Sequence, residues 1–184
     1  MSGSKHMLVC LTASDGFIGS AIRGVTESNV NHAFIAFYSK EHKSWQALQT
    51  DHRGLVQVPA KTLDYRSIEC YMFPDLDLTT ALPECGDLIG DSYDFIGIAG
   101  FLIKICVWRL TGRRIVNPLH KKGELFCSEF AVEYLQKVAG MYSWMKMVKP
   151  SGVAPGGLSS SLGVPSLKEM LQTHDEVSRV DCPW

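Results

Sequence analysis

The chain has 184 residues, enough for one ordinary domain with a sizeable core. Its 46% apolar and 20% charged residues exclude a disordered or fibrous class and point to a globular protein. The net charge of −1 gives no overall pull toward nucleic acid, so none is expected as a partner. Local charge is less even: residues 64–94 carry eight acids against one arginine, and residues 95–123 carry six basic residues and no acid. These blocks read either as solvated faces that complement one another or as a basic rim that attracts an anionic group.

In chain order, residues 1–7 are polar, lack the apolar core of a signal peptide, and read as a tag or disordered start. Residues 8–184 then make a single domain, expected in the reducing cytoplasm of a bacterial or virus-infected cell. Residues 8–12 read as a short strand. Ser14, Asp15 and Gly16 offer a helix cap ahead of Phe17, Ile18, Ala21, Ile22 and Val25, which are spaced for one helical face. A loop at 29–31 delivers His32 to the most strand-like run of the chain, 33–38. The polar turn 39–43 predicts a hairpin into a second strand at 44–50. A third strand at 55–58 is stopped by Pro59, and a fourth at 67–73 by Pro74.

Residues 76–88 are weakly helical, and 95–109 are helical despite Gly97 and Gly100. The apolar stretch 95–110 contains Lys104 and Arg109 and falls short of the roughly 20 residues that span a bilayer, so it reads as a buried helix without stable membrane insertion. Residues 111–123 are loop. Phe126, Phe130, Tyr134 and Val138 then recur at every fourth position, with Ala131, Leu135 and Ala139 beside them, which predicts a helix from Cys127 to about Val138. A Gly/Ser/Pro-rich loop at 151–163 follows, then Pro165 opens a short helix at 166–172, and the tail after Thr173 is weakly ordered. Helices and an antiparallel hairpin sheet segregated in this way give the α+β class.

The six cysteines contain no CxxC pair and no zinc-site spacing, and the histidines form no cluster, so neither a metal nor a cofactor is expected. Cys10, Cys70 and Cys106 lie in apolar runs and read as small buried hydrophobes. Cys127 is different. It stands at the amino end of a helix, where unpaired peptide N–H groups and the helix dipole favour thiolate over thiol. A cysteine nucleophile also needs a base and a group that orients the base. His32 is the candidate base. Gln49, on the strand face of Trp45 and Ala47, and Gln46, on the face of Leu48, each offer an amide oxygen that can fix an imidazole tautomer. The Cys127 peptide N–H would stabilise an oxyanion with a second donor that sequence does not fix. Asp15 and Tyr93 are further candidates for the cleft.

Several segments together resemble a known family. Residues 11–23, then Val25-Thr26 and Asn31-His32-Ala33, are similar to the opening of the permuted NlpC-type papain-like enzymes, the YiiX-like amidases, whose base lies on a "[S/N]-H" strand. Residues 49–55 are similar to the next block of that family, Tyr93-Asp94-Phe95-Ile96-Gly97 to its "Y-D-[FY]-x-G" block, and Asn117-Pro118 with Phe126-Cys127-Ser128-Glu129-Phe130 to its nucleophile block. Pro165-Ser166-Leu167 resembles the closing element, with Lys168 where an acid is expected.

The resemblance covers residues 8–171. It implies a papain-like α+β fold with a central antiparallel sheet packed against helices, circularly permuted so that base precedes nucleophile. It also implies thiol-dependent cleavage of peptide or peptidoglycan-type amides, with Cys127 as nucleophile, His32 as base and Gln49 in the third place. Gln49 departs from the usual acid of the family and leaves the imidazolium less stabilised. Two alternatives remain open: an acyltransferase or lipase with an acyl groove along 95–110 flanked by Arg109, Arg113 and Arg114, and a binding module with weakened catalysis.

Overall fold

The two central strands are apolar almost continuously because they bury both faces, β1 (Met7–Thr12) without a single exposed residue and β2 (His32–Ser39) over its first six. The computed structural model describes residues 7–65, 67–73, 82–86, 89, 95–113, 115–119, 126–138, 149, 153–156, 166–173, 175 and 177–184. Their elements are β1 (Met7–Thr12), α1 (Phe17–Thr26), β2 (His32–Ser39), β3 (Ser44–Asp51), β4 (Gly54–Pro59), a 3-10 turn (Ala60–Thr62), β5 (Ile68–Met72), α2 (Leu82–Gly86), α3 (Phe95–Thr111), α4 (Cys127–Val138), α5 (Leu167–Thr173) and β6 (Ser178–Val180). The strands form one open antiparallel sheet in the order β4-β3-β2-β1-β5-β6. The α+β class read from the sequence holds.

Alternation along the strands sorts the core into two layers. On one face Val9, Leu11, Ala33, Ile35, Leu48 and Leu55 pack against Phe130, Ala131, Tyr134 and Leu135 of α4 and Leu167 and Leu171 of α5. On the other, Leu8, Cys10, Phe34, Ala36, Ala47 and Cys70 are covered by Trp45, Tyr65, Val180, Cys182 and Trp184. The fourfold apolar repeat of α4 is thus the surface that the central strands need.

The sheet leaves α1 and α3 to pair with each other, through Ile22 against Ile98 and Phe126, and Val25 against Phe101 and Ile105. The glycines of α3 have a packing reason. A Cβ at Gly100 would stand 2.1 Å from Asn117 Oδ1, so only glycine admits the following segment at this distance. Asn117 then donates from Nδ2 to the Gly97 carbonyl at 2.9 Å and accepts the Leu119 N–H at 3.1 Å. No described helix is long and apolar enough to cross a membrane.

Three expectations need correction. The tail is ordered: β6 pairs with β5, and Trp184 stacks near Phe34 and Trp45. Its apolar residues cover a sheet face that no described helix covers. Met7 belongs to β1 and is fully buried, rather than to a disordered start. The cap offered by residues 14–16 falls on Gly16 and carries no side-chain bond of its own. Instead, the Ser14 N–H donates to Asn31 Oδ1 at 2.8 Å and the Ser14 carbonyl accepts from Asn31 Nδ2 at 3.0 Å. Cys106 is exposed, because α3 turns it away from α1. The expected loop at 151–163 and Pro165 fall largely outside the described residues, as does the basic group Arg114, Lys121 and Lys122.

Lys168, out of place in the sequence comparison, has a structural partner. Its Nζ donates to Glu69 Oε1 at 2.7 Å and to Asn29 Oδ1 at 3.1 Å, tying α5 to β5 and to the loop before His32. The packing of α4 gives a direct expectation. Phe130→Ala should lower unfolding stability by about 3–5 kcal/mol in denaturant titration, and a loss under about 1 kcal/mol would contradict its place at the centre of the core.

Candidate active site

Residue 32 begins β2 and residue 127 begins α4, and the packing of α4 on the sheet makes these two starts meet. The Cys127 thiol lies 3.9 Å from the Asn31 carbonyl. The peptide N–H groups of Ala33, Ser128 and Cys127 itself donate toward its sulfur. The sulfur therefore touches the peptide groups on both sides of His32.

The ring of His32 lies in the second layer, 5.7 Å from the Tyr65 ring and 6.4 Å from Phe34, centre to centre. Its Nε2 pairs with Gln49 Oε1 at 3.3 Å, and the same oxygen accepts the Tyr65 hydroxyl at 2.7 Å. An amide oxygen only accepts, so Nε2 carries the ring proton and Nδ1 keeps its lone pair. Of the two glutamines, Gln49 is the one that reaches the histidine. Gln46 is on the opposite face of β3, and its Nε2 donates to Ser44 Oγ at 2.9 Å.

Burial dominates the electrostatics. Cys127 is 3% exposed and His32 8%. Loss of solvent pushes the thiol up to about 11, against the pull of the three N–H donors. The expected depression of the thiol is therefore reversed, because those donors are outweighed by desolvation. Burial likewise lowers His32 to about 4, opposed by the bond to Gln49 and by the charge of Asp51. At neutral pH the resting pair is thiol and neutral imidazole.

A cleft of about 430 Å³ opens beside His32, lined by residues that include Asp15, Phe17, Ile18, Asn31, Thr50 and Tyr65; Cys127 lies behind Asn31, whose carbonyl its sulfur touches, and is not among the lining residues. Asp15 thus does reach the cleft, while Tyr93 lies outside the described residues. Asp51 also lines it, held by Arg53 Nη2 at 2.6 Å. None of these lining residues comes from α3, whose Ile98 packs with Ile22 and Phe126.

Four residues that sequence reasoning did not assign complete the site. Tyr65 fixes Gln49, and burial, with Cys127 and Asp51, pushes its phenol upward, keeping it a donor. Asn31 locks the segment at Ser14 against the strand start. The site also needs Gly19, where a Cβ would stand 2.3 Å from Asn31 Nδ2. Thr50 Oγ1 is buried in the cleft wall with no hydrogen-bond partner among the described residues. Thr50 pairs with Leu55 and so points to the α4 side of the sheet. No periodicity marks these residues, since each acts through a contact distant in sequence.

The class that the coordinates define is an open six-stranded antiparallel sheet with helices, carrying a buried cysteine, histidine and glutamine at one end. Among solved structures the chain is similar to the metalloprotein yiiX from Escherichia coli O157:H7, with a TM-score of 0.52 and 11% identity over 99% of each chain. At that identity the likeness is one of fold, and the fold is YiiX-like. No protein-family model and no curated protein matches the sequence.

The buried neutral histidine has a measurable consequence. Below pH 6.5 the unfolded chain takes up a proton at His32 that the folded chain refuses until about pH 4. The unfolded state then binds more protons, so stability falls as pH falls. This site should cost on the order of 3 kcal/mol between pH 7 and pH 4, read as the difference between wild type and His32→Gln in denaturant titrations. Parallel loss in both proteins would mean that His32 is not the buried base described here.

Proposed function

We propose that residues 7–184 form a thiol hydrolase of the permuted papain-like kind, cleaving an amide bond of a peptide or peptidoglycan-type substrate. The observation that carries this reading is the seat of the Cys127 sulfur between the peptide groups that flank His32. A base fixed on its far side by Gln49 supports it further.

In this reading the substrate carbonyl enters the cleft and the Cys127 sulfur attacks it. His32 Nδ1 takes the thiol proton as the carbon–sulfur bond forms. A resting neutral pair suits such concerted transfer, since neither charge has to be held in the buried site before substrate arrives. The peptide N–H groups around the sulfur are ready to receive negative charge without reorganising. The imidazolium then protonates the leaving amine, and water attacks the acyl-enzyme to return the free thiol. Gln49 and Tyr65 hold the ring; without a carboxylate in that place, the imidazolium is stabilised by the amide dipole alone. We assign Thr50 Oγ1 as the second oxyanion donor beside the Cys127 N–H, because Thr50 lines the cleft and its buried hydroxyl has no partner among the described residues.

The word metalloprotein belongs to the E. coli structure. Among the described residues of this chain, no three His, Cys, Asp or Glu side chains are grouped to hold an ion, and the reading assigns no step to a metal. A second reading, hydrolysis of acyl-lipid or ester substrates, is favoured by one observation: Phe17, 90% exposed, and Ile18 form part of the cleft wall and offer an apolar group a contact.

Assays of amine release from peptide and peptidoglycan-type amides, with acyl esters as a second arm, test both readings. Wild type should turn over one class, and Cys127→Ala should lose at least about a thousandfold in kcat with its unfolding midpoint kept. Equal turnover by Cys127→Ala would overturn Cys127 as the nucleophile, and none by wild type on either class would leave a binding module. Thr50→Val, which keeps shape and removes the hydroxyl, should lower kcat by about a hundredfold with little change in KM, as loss of an oxyanion donor does.

A further inference from the structure

Three cysteines with no place in the proposed chemistry meet on the sheet face turned away from α4. Cys10 of β1 and Cys70 of β5 are directly opposite in register, with their sulfurs 3.6 Å apart. Val180 of β6 also pairs with Cys70, and Cys182 lies two residues further along the same face. Its sulfur stands 2.6 Å from Cys70 Sγ and 3.7 Å from the Ile68 carbonyl. That approach is far closer than the Cys10–Cys70 contact and near the covalent separation of about 2.05 Å. Cys70 lies in β5 and Cys182 just beyond the end of its partner β6, so closing a bond needs only a small side-chain shift.

We propose that Cys70 and Cys182 are a redox-modifiable dithiol, closed by small-molecule disulfides into an intrachain bond that staples the C-terminal segment across the sheet. The roles within the cluster differ. Cys70 and Cys10 are buried, while Cys182 is partly exposed and is the sulfur that a reagent reaches first. The Cys10 thiol, chiefly, with the Cys182 thiol and Arg179, holds Cys70 below the usual thiol range. Burial pushes Cys10 well above it, so Cys10 remains a donor.

Either sulfur of the close pair can hold the proton between them. At rest the proton sits on Cys182, whose thiol burial and Cys70 push up to about 12; Cys182 passes it to the Cys70 sulfur as it attacks a disulfide RSSR, forming Cys182–S–SR and releasing RS⁻. Cys70 then loses its proton and attacks the Cys182 sulfur, expelling the second RS⁻. Two protein thiols are oxidised to one disulfide, and RSSR is reduced to two RSH.

The staple has a consequence for the site. Trp184 lies 6.3 Å from Phe34 and 5.9 Å from Trp45, and Phe34 lies 5.9 Å from Tyr65, between ring centres. The C-terminal segment therefore props the aromatic layer in which His32, Gln49 and Tyr65 are held. Any effect of oxidation on turnover rests on the proposed hydrolase reading, whereas the disulfide itself does not.

The test uses the full chain, reduced, freed of reductant and treated with oxidised glutathione, in both wild type and Cys127→Ala. Intact mass should fall by two hydrogens, and peptide mapping should join Cys70 to Cys182 in both proteins. Cys10→Ser should still form the bond. Cys182→Ser, altered at a partly exposed position that a folded chain tolerates, should not. Amide exchange over residues 178–184 should slow at least severalfold on oxidation and recover with dithiothreitol. A persistent glutathione adduct, a Cys10–Cys70 bond, no reaction, or unchanged exchange would each overturn the proposal. Because Cys127→Ala is included, failure of the dithiol and failure of the hydrolase reading are read separately.

Discussion

Everything at the candidate site depends on how α4 lies on the sheet. Phe130, Ala131, Tyr134 and Leu135 fill the layer above Val9, Ala33, Ile35 and Leu48, and that packing allows little slip along the strands. With the helix fixed, its first residue arrives at the first residue of β2. A change in that contact would move the sulfur away from the peptide groups of Asn31 and Ala33, and no local feature of residues 126–129 would restore it. The strand start is secured independently: Asn31 clasps the Ser14 segment, and Lys168 ties the preceding loop to α5 and β5.

The site sets opposing electrostatic effects against each other. Helix and strand N–H groups converge on the sulfur and favour its anion, while burial favours the thiol and prevails. Burial also keeps the imidazole neutral. The same seclusion that makes an isolated charge costly makes each fixed dipole more effective once charge develops. Gln49 fits this balance, because it orients the ring through its oxygen without adding a buried negative charge that would need its own partner.

The two faces of the sheet divide the labour. The α4 face positions the cysteine and carries Thr50, while the opposite face holds His32 through Gln49, Tyr65 and the aromatic layer closed by Trp184. The thiol therefore rests against the peptide groups that flank His32, at a strand start that both layers approach. The C-terminal residues belong functionally to this second layer, although they come last in the chain.

Much of this was legible in the sequence where the signal is local. Alternation and turn residues marked β1 to β5, the fourfold repeat marked α4, and Cys127 and His32 stood out because each begins an element. Gln49 was legible as one of two candidates, because strand alternation separates the faces without saying which one carries the histidine. The last strand was missed because three residues with no apolar run gain their order from pairing with β5. Tyr65 and Thr50 gave no signal, and Asn31 gave one only as the residue before His32 in the family's block, since their roles come from contacts across the fold. The sequence by itself determined β1 to β5, α4, the α+β class and the residue types able to do thiol chemistry, because periodicity and turn chemistry are local properties of the chain. Only the tertiary structure decided which glutamine holds the ring, that the thiol rests protonated and that three cysteines converge, because proximity and desolvation arise when distant segments pack together.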